Sequence, residues 1–226
     1  MIIITGINGG IGNYLFNSFY KSGEDIIGTY HLNKPEGEQY KNCIQLDITD
    51  NNQVESFSKS ISAEEKITLI NCAGISYNSF AHKSNVNEWA NVINVNLTGT
   101  YNLIRAVLPL MREQNYGRII NLSSIVAQTG VLGTSAYAAS KAGLNGMIKS
   151  IALENAQKSI TINNINLGYF KVGMINTVPK EIQEKIKSKI AFNEFGDPQN
   201  IFNTIQYIRD TAYLTGSCID LNGGIV

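Results

Sequence analysis

Short apolar runs recur along the chain, each followed by small or polar residues and then by a helical stripe. Residues 2–5 read as a buried strand. After Gly6-Ile7-Asn8-Gly9-Gly10-Ile11-Gly12, Ile11, Leu15 and Phe19 stand at i, i+4 and i+8, the spacing of one helix face. Residues 25–30 read as a second strand, 43–46 as a third that ends in Asp47-Ile48, and 51–60 as a helix. A fourth strand, 67–71, runs into Cys72-Ala73-Gly74. Residues 87–111 carry a long helical pattern, with Trp89 as a packing residue and Asn96 at its middle. An asparagine inside a helix is unfavourable unless its side chain finds a partner. The run 118–122 is a further buried strand, and a helix capped by Thr134 or Ser135 extends to 158. In 179–190, Ile182, Ile186 and Ile190 form one stripe, which serves either as a lid over an apolar substrate or as core packing with a solvated lysine face.

Composition narrows the reading. A chain of 226 residues suits one α/β domain, 1–226, with a sizeable core. Eighteen basic residues balance eighteen acidic ones, so no global field favours nucleic acid or an anionic membrane. Cys43, Cys72 and Cys218 are odd in number and far apart, which argues against a disulfide framework or a zinc cage and fits a reducing, cytoplasmic setting. His31 and His82 are isolated, so no histidine metal site is expected. The start of the chain is too short for a signal peptide or a membrane span, since Gly6 ends its apolar run.

The candidate chemistry lies at strand ends. Strand, glycine loop and helix in succession let backbone approach a pyrophosphate and present free N–H groups at a helix N-terminus. At the end of the second strand a dinucleotide site meets the adenosine ribose. An acid there would bind the 2′-hydroxyl of NAD, but this chain has Tyr30-His31-Leu32-Asn33-Lys34, so His31 and Lys34 can instead face a 2′-phosphate. Further on, Ser124 follows the buried run at 118–122, and Tyr137 and Lys141 stand four apart on one helix face. By itself that spacing is an ordinary surface pair; beside a cofactor loop it can handle a carbonyl and its proton.

These residues carry a resemblance. The chain resembles the compact branch of the short-chain dehydrogenase/reductase family over essentially its whole length. The matches are Thr5-Gly6-x-x-x-Gly10-x-Gly12, Asp47, Asn71-Cys72-Ala73-Gly74, Asn96, Ser124, Tyr137-x-x-x-Lys141, and the ending Tyr213-Leu214-Thr215-Gly216 with Asp220-Leu221-Asn222-Gly223-Gly224. Gly6, Gly9 and Gly12 also fit the longer, epimerase-type branch, for whose additional substrate region this chain has no room. Within the compact branch it is most similar to 3-oxoacyl-carrier-protein reductases, through Ile27-Gly28-Thr29 and Phe195-Gly196-Asp197-Pro198. It departs from them in four places: Glu113-Gln114-Asn115-Tyr116 where they are basic, Leu167-Gly168 for Pro-Gly, Val172 for a threonine, and Gly9 for the basic residue of many NADP-preferring relatives.

The resemblance implies a doubly wound, Rossmann-type parallel sheet of about seven strands with helices on both faces. It implies an NAD(P)-dependent oxidoreductase, with NADP(H) favoured and NAD(H) the alternative. Cofactor contacts would come from Gly6, Asn8, Gly9, Gly10, Ile11, Gly12, Tyr30, His31, Asp47, Ile48, Asn71, Ala73, Gly74, Tyr137, Lys141, Gly168, Phe170 and Val172. Tyr137 would donate the proton, Lys141 would lower its pKa and hold the ribose, Ser124 would bind the carbonyl oxygen, and Asn96 would hold a relay water. The leading substrate is a 3-oxoacyl thioester, with a sugar, polyol or other small ketone as the enzymatic rival and a non-catalytic dinucleotide-binding regulator as the rival of another class. Relatives pair the helices 87–111 and 135–158 into homotetramers, for which Leu97, Tyr101, Ile104, Leu108, Leu144, Met147, Ile148 and Ile151 supply apolar surface.

Overall fold

The computed structural model describes residues 1–62 and 66–225. Among them one wholly parallel sheet is built from β1 (Ile2–Ile4), β2 (Ile26–Tyr30), β3 (Ile44–Gln45), β4 (Thr68–Asn71), β5 (Gly117–Ser124), β6 (Ile160–Leu167) and β7 (Cys218–Leu221), in the spatial order β3-β2-β1-β4-β5-β6-β7. The helices are α1 (Gly10–Lys21), α2 (Asn51–Lys59), α3 (Val86–Ile93), α4 (Thr100–Gln114), the short α5 (Val126–Thr129), α6 (Ser135–Asn155), α7 (Lys180–Lys187) and α8 (Gln199–Asp210). None of them is long and apolar enough to cross a membrane.

The side-chain period of two explains the three successive isoleucines of β1. Ile2 and Ile4 enter one core with Leu15, Phe16 and Phe19 of α1 and Ile201, Ile205 and Ile208 of α8. Ile3 points the other way, into a second core with Phe57 of α2, Leu103, Ile104 and Val107 of α4, and Ile148 and Ile151 of α6. Each such side chain, fully buried, contributes about 1.5–3 kcal/mol, so a doubly covered sheet is the arrangement this pattern favours. β5 and β6 are buried along their whole lengths and pair in continuous register from Gly117–Ile160 to Ser124–Leu167.

The helix expected over 87–111 is not uniform. α3 runs into wide π turns over Asn94–Gly99 before α4 resumes. The cause is Asn96, whose amide is drawn sideways to the loop after β4: Oδ1 accepts from Ile75 N at 2.8 Å, while Nδ2 donates to Ile75 O at 2.9 Å and to Ser140 Oγ at 3.1 Å. Thr134 and Ser135 flank the start of α6 as expected, but neither caps it. Thr134 Oγ1 donates to Val131 O, and Ser135 Oγ accepts from Trp89 Nε1, so Trp89 ties α3 to α6 by a hydrogen bond as well as by packing.

Candidate active site

β1 lies between β2 and β4, and the chain leaves β1 toward one face of the sheet and β4 toward the other. The crevice at such a switch point is where open α/β sheets bind ligands. Here the two strand ends are tied by Thr5, whose Oγ1 accepts from Cys72 N and Ala73 N, each at 3.0 Å. Gly6 turns the chain out of β1 at φ +67°, and a Cβ there would stand 2.7 Å from Ala73 Cα, so only glycine fits. α1 then begins at Gly10 with no side chain capping it. Its first N–H groups are therefore open to a ligand, and the helix dipole favours a negative one. A pyrophosphate fits this cradle.

A cleft of about 420 Å³ runs outward from that turn. Gly6, Asn8, Gly9, Ala73 and Gly74 line it together with Tyr30, His31, Asp47 and Ile48. Asp47 Oδ1 is occupied by Thr49, whose N and Oγ1 donate to it at 2.8 and 2.7 Å; Oδ2 lies 3.6 Å from His31 Nε2. Lys34 does not join His31 there, because its ammonium donates to Lys41 O at 3.0 Å.

Gly9, Cys72, Gly74 and Ile75 also line a second cavity of about 280 Å³, so the two adjoin. Gly10, Ile11, Gly12, Gly168, Phe170 and Val172 wall it on the glycine-loop side, and Ser124, Tyr137 and Lys141 converge in it. Ser124 ends β5, Tyr137 lies in the first turn of α6, and Lys141 follows one turn later. Ser124 Oγ accepts from Val126 N at 3.2 Å. Burial pushes the Tyr137 phenol up to about 12, against the lowering effect of the Ser124 hydroxyl. Burial pulls Lys141 down to about 8. The ammonium donates to Leu122 O at 2.7 Å and lies 5.6 Å from the Tyr137 ring centroid. Desolvation is the largest influence on the phenol, with Tyr169 adding to it and Ser124 opposing it.

Two expected contacts lie beneath the site rather than in it. Asn71 lines neither space; its amide donates to Asn121 Oδ1 at 2.8 Å within the sheet. Asn96 is fully buried with its amide engaged by Ile75 and Ser140, so that side chain holds the loop after β4. Conversely, Thr49, Ile75 and Val126 line the two spaces without having been expected there. Thr49 and Ile75 sit on loops and Val126 opens the short α5, where no periodicity marks a side chain as inward. Only their nearness to strand ends could have signalled them.

An open glycine turn beside a buried serine, tyrosine and lysine defines a nicotinamide-dependent oxidoreductase that interconverts carbonyl and CH–OH groups. The short chain dehydrogenase family matches residues 1–183, and the chain belongs to that family. A 3-oxoacyl-(acyl-carrier-protein) reductase FabG of Rickettsia bellii is 33% identical over 230 residues, covering 99% of this chain and 95% of the relative. The acetoacetyl-CoA reductase of Allochromatium vinosum is 32% identical over 238 residues, covering 99% and 97%. A FabG of Vibrio harveyi is 31% identical over 234 residues, covering 99% and 96%.

Proposed function

We propose that the protein reduces the 3-oxo group of an acyl thioester with NADPH, in a single domain. The observation that carries this is the meeting of Ser124, Tyr137 and Lys141 in one cavity that adjoins the dinucleotide cleft. The substrate class comes from the relatives, named for 3-oxoacyl and acetoacetyl thioesters. Bound nicotinamide supplies the hydride. The chain's own residues handle the oxygen and its proton. Ser124 and Tyr137 donate to the carbonyl oxygen as negative charge develops on it, where a preorganised donor is worth most. Tyr137 then passes its proton to that oxygen. Lys141, positively charged below about pH 8, stabilises the phenolate left behind.

NADP(H) is favoured over NAD(H) because Tyr30, His31, Leu32 and Asn33 supply no acid where the cleft leaves β2. Asp47 is the carboxylate nearest that end, and one of its oxygens is occupied by Thr49. The three cysteines are free, which suits a cytoplasmic enzyme.

Assembly as a homotetramer rests on a narrower stripe than the sequence implied. Ile104, Ile148 and Ile151 belong to the core on one face of the sheet, and they and Leu144 are buried in the monomer. Leu97, Leu108 and Met147 are half-buried, and Tyr101 and Leu153 are exposed, at 45% and 85%. That outward strip of α4 and α6 is the surface a partner subunit would cover.

The deciding experiment follows NADPH oxidation with acetoacetyl thioester beside a panel of sugars, polyol-derived ketones and simple ketones. Turnover of the thioester at least tenfold more efficient than any other carbonyl is expected. Equal or better turnover of a sugar ketone would move the protein to the rival substrate class, and no turnover of any carbonyl would make it a regulator. A monomeric mass by light scattering at micromolar concentration would defeat the tetramer.

A further inference from the structure

Tyr169 stands between two cavities. On one side is the 280 Å³ cavity of Ser124, Tyr137 and Lys141. On the other is a space of about 440 Å³ beneath the chain that follows α7, walled by Ile190, Phe192, Phe195 and Leu221. Among the described residues, Tyr169 and Phe170 alone line both.

The two residues are held differently. Phe170 is locked: it belongs to the main core, it pairs with Gly196 in an isolated parallel bridge, and a Cβ on Gly196 would come within 2.7 Å of its ring. Tyr169 is anchored through its backbone, where its carbonyl accepts from Gly196 N at 2.9 Å. Its ring packs at the edge of a small cluster of Ile125, Ile175, Ile190, Phe195 and Ile225, with the Phe195 ring tilted at 6.4 Å. Tyr169 is thus the partition whose size and rotamer decide whether the spaces join.

The chemistry of the far space indicates what enters it. Its apolar walls are Ile190, Phe192, Phe195 and Leu221, with Asn200 and Asn222 beside them. Its charged groups already have partners: Lys171 pairs with Glu194 at 3.1 Å, and Asp197 Oδ1 accepts from Gln199 N at 2.8 Å. No unpaired cation is offered to an anionic group, and an uncharged hydrocarbon tail is the ligand that such walls favour. The near cavity must also admit the nicotinamide beside Ile11 and Gly12, which leaves little room for a tail.

We propose that Tyr169 is the chain-length determinant: its ring confines the enzyme to short 3-oxoacyl groups, and the space behind it receives the acyl chain beyond the fourth carbon once the ring is removed. This rests on the thioester reading above. The test measures kcat/KM for coenzyme A thioesters of 3-oxobutanoyl, 3-oxohexanoyl, 3-oxooctanoyl and 3-oxodecanoyl groups. The wild type should lose at least tenfold between the four- and eight-carbon substrates. Tyr169→Ala should erase or invert that ratio, and Tyr169→Phe, which keeps the ring, should retain it. Tyr169→Leu keeps apolar bulk in the cluster and should move the ratio the same way by a smaller factor, so it decides the matter if the alanine variant does not fold. A flat wild-type profile, or alanine and leucine variants that keep the wild-type ratio, overturns the proposal and leaves the thioester reading standing. A wild type that reduces none of the four overturns both.

Discussion

Lys141 donates to the Leu122 carbonyl at 2.7 Å, so the catalytic helix and β5 are joined at the level of the reaction. That bond holds the ammonium in place, and burial lowers its pKa to about 8. The charged form, to which the proposed mechanism gives the task of stabilising the Tyr137 phenolate, is present below that pH and is lost above it. Reduction at saturating cofactor should therefore be level to about pH 7 and fall tenfold per pH unit well above 8. Lys141→Arg keeps its charge in this range, so whatever its absolute rate its descending limb should lie above pH 10. A wild-type limb unmoved by that substitution would assign the titration to another group.

Tyr137→Phe removes the proton donor and little else. It should lower kcat by at least a thousandfold while NADPH binding, followed by fluorescence titration, changes less than threefold. Ser124→Ala removes one of two donors to the developing oxyanion, a loss worth about 10²–10³ in rate in comparable sites. Retention of most of kcat in Tyr137→Phe would refute the proton-transfer role.

Much of this site was legible because its signals are local. The glycine turn, the apolar run before Ser124 and the four-residue spacing of Tyr137 and Lys141 each depend on neighbours in sequence, which period and turn chemistry describe. The side chains misread were those whose partners are distant. Asn96 meets Ile75 across the chain, and Asn71 meets Asn121. The buried state of Lys141 was illegible for the same reason: its desolvation comes from strands and loops brought over it by topology.

A row of buried asparagines gives the next expectation. Asn71 donates to Asn121 Oδ1 at 2.8 Å, Asn121 to Asn164 Oδ1 at 2.9 Å, and Asn164 to Asn145 Oδ1 at 2.8 Å. The row crosses β4, β5 and β6 at paired register positions and ends on α6, one turn beyond Lys141. Asn164→Ala would leave a donor on Asn121 and an acceptor on Asn145 unmatched, at roughly 1–3 kcal/mol each. Urea denaturation should show a loss of about 2–5 kcal/mol. A loss under about 1 kcal/mol would mean that the groups find water or each other.

Cofactor choice can be reversed at one residue. Tyr30 ends β2 and lines the cleft beside His31, with no carboxylate from the β2 end of the cleft. In the wild type NADP(H) should bind at least tenfold more tightly than NAD(H). Tyr30→Asp places an anion where β2 ends; it repels a 2′-phosphate and accepts a hydrogen bond from a 2′-hydroxyl, so the preference should invert. His31→Ala separates the contribution of the imidazole: it should weaken NADP(H) several-fold and leave NAD(H) within twofold, because only the phosphate gains from that group. Titration of each protein with both cofactors measures all four ratios. Equal or tighter NAD(H) affinity in the wild type would overturn the assignment, and a Tyr30→Asp variant that still prefers NADP(H) would show that the phosphate is held elsewhere in the cleft.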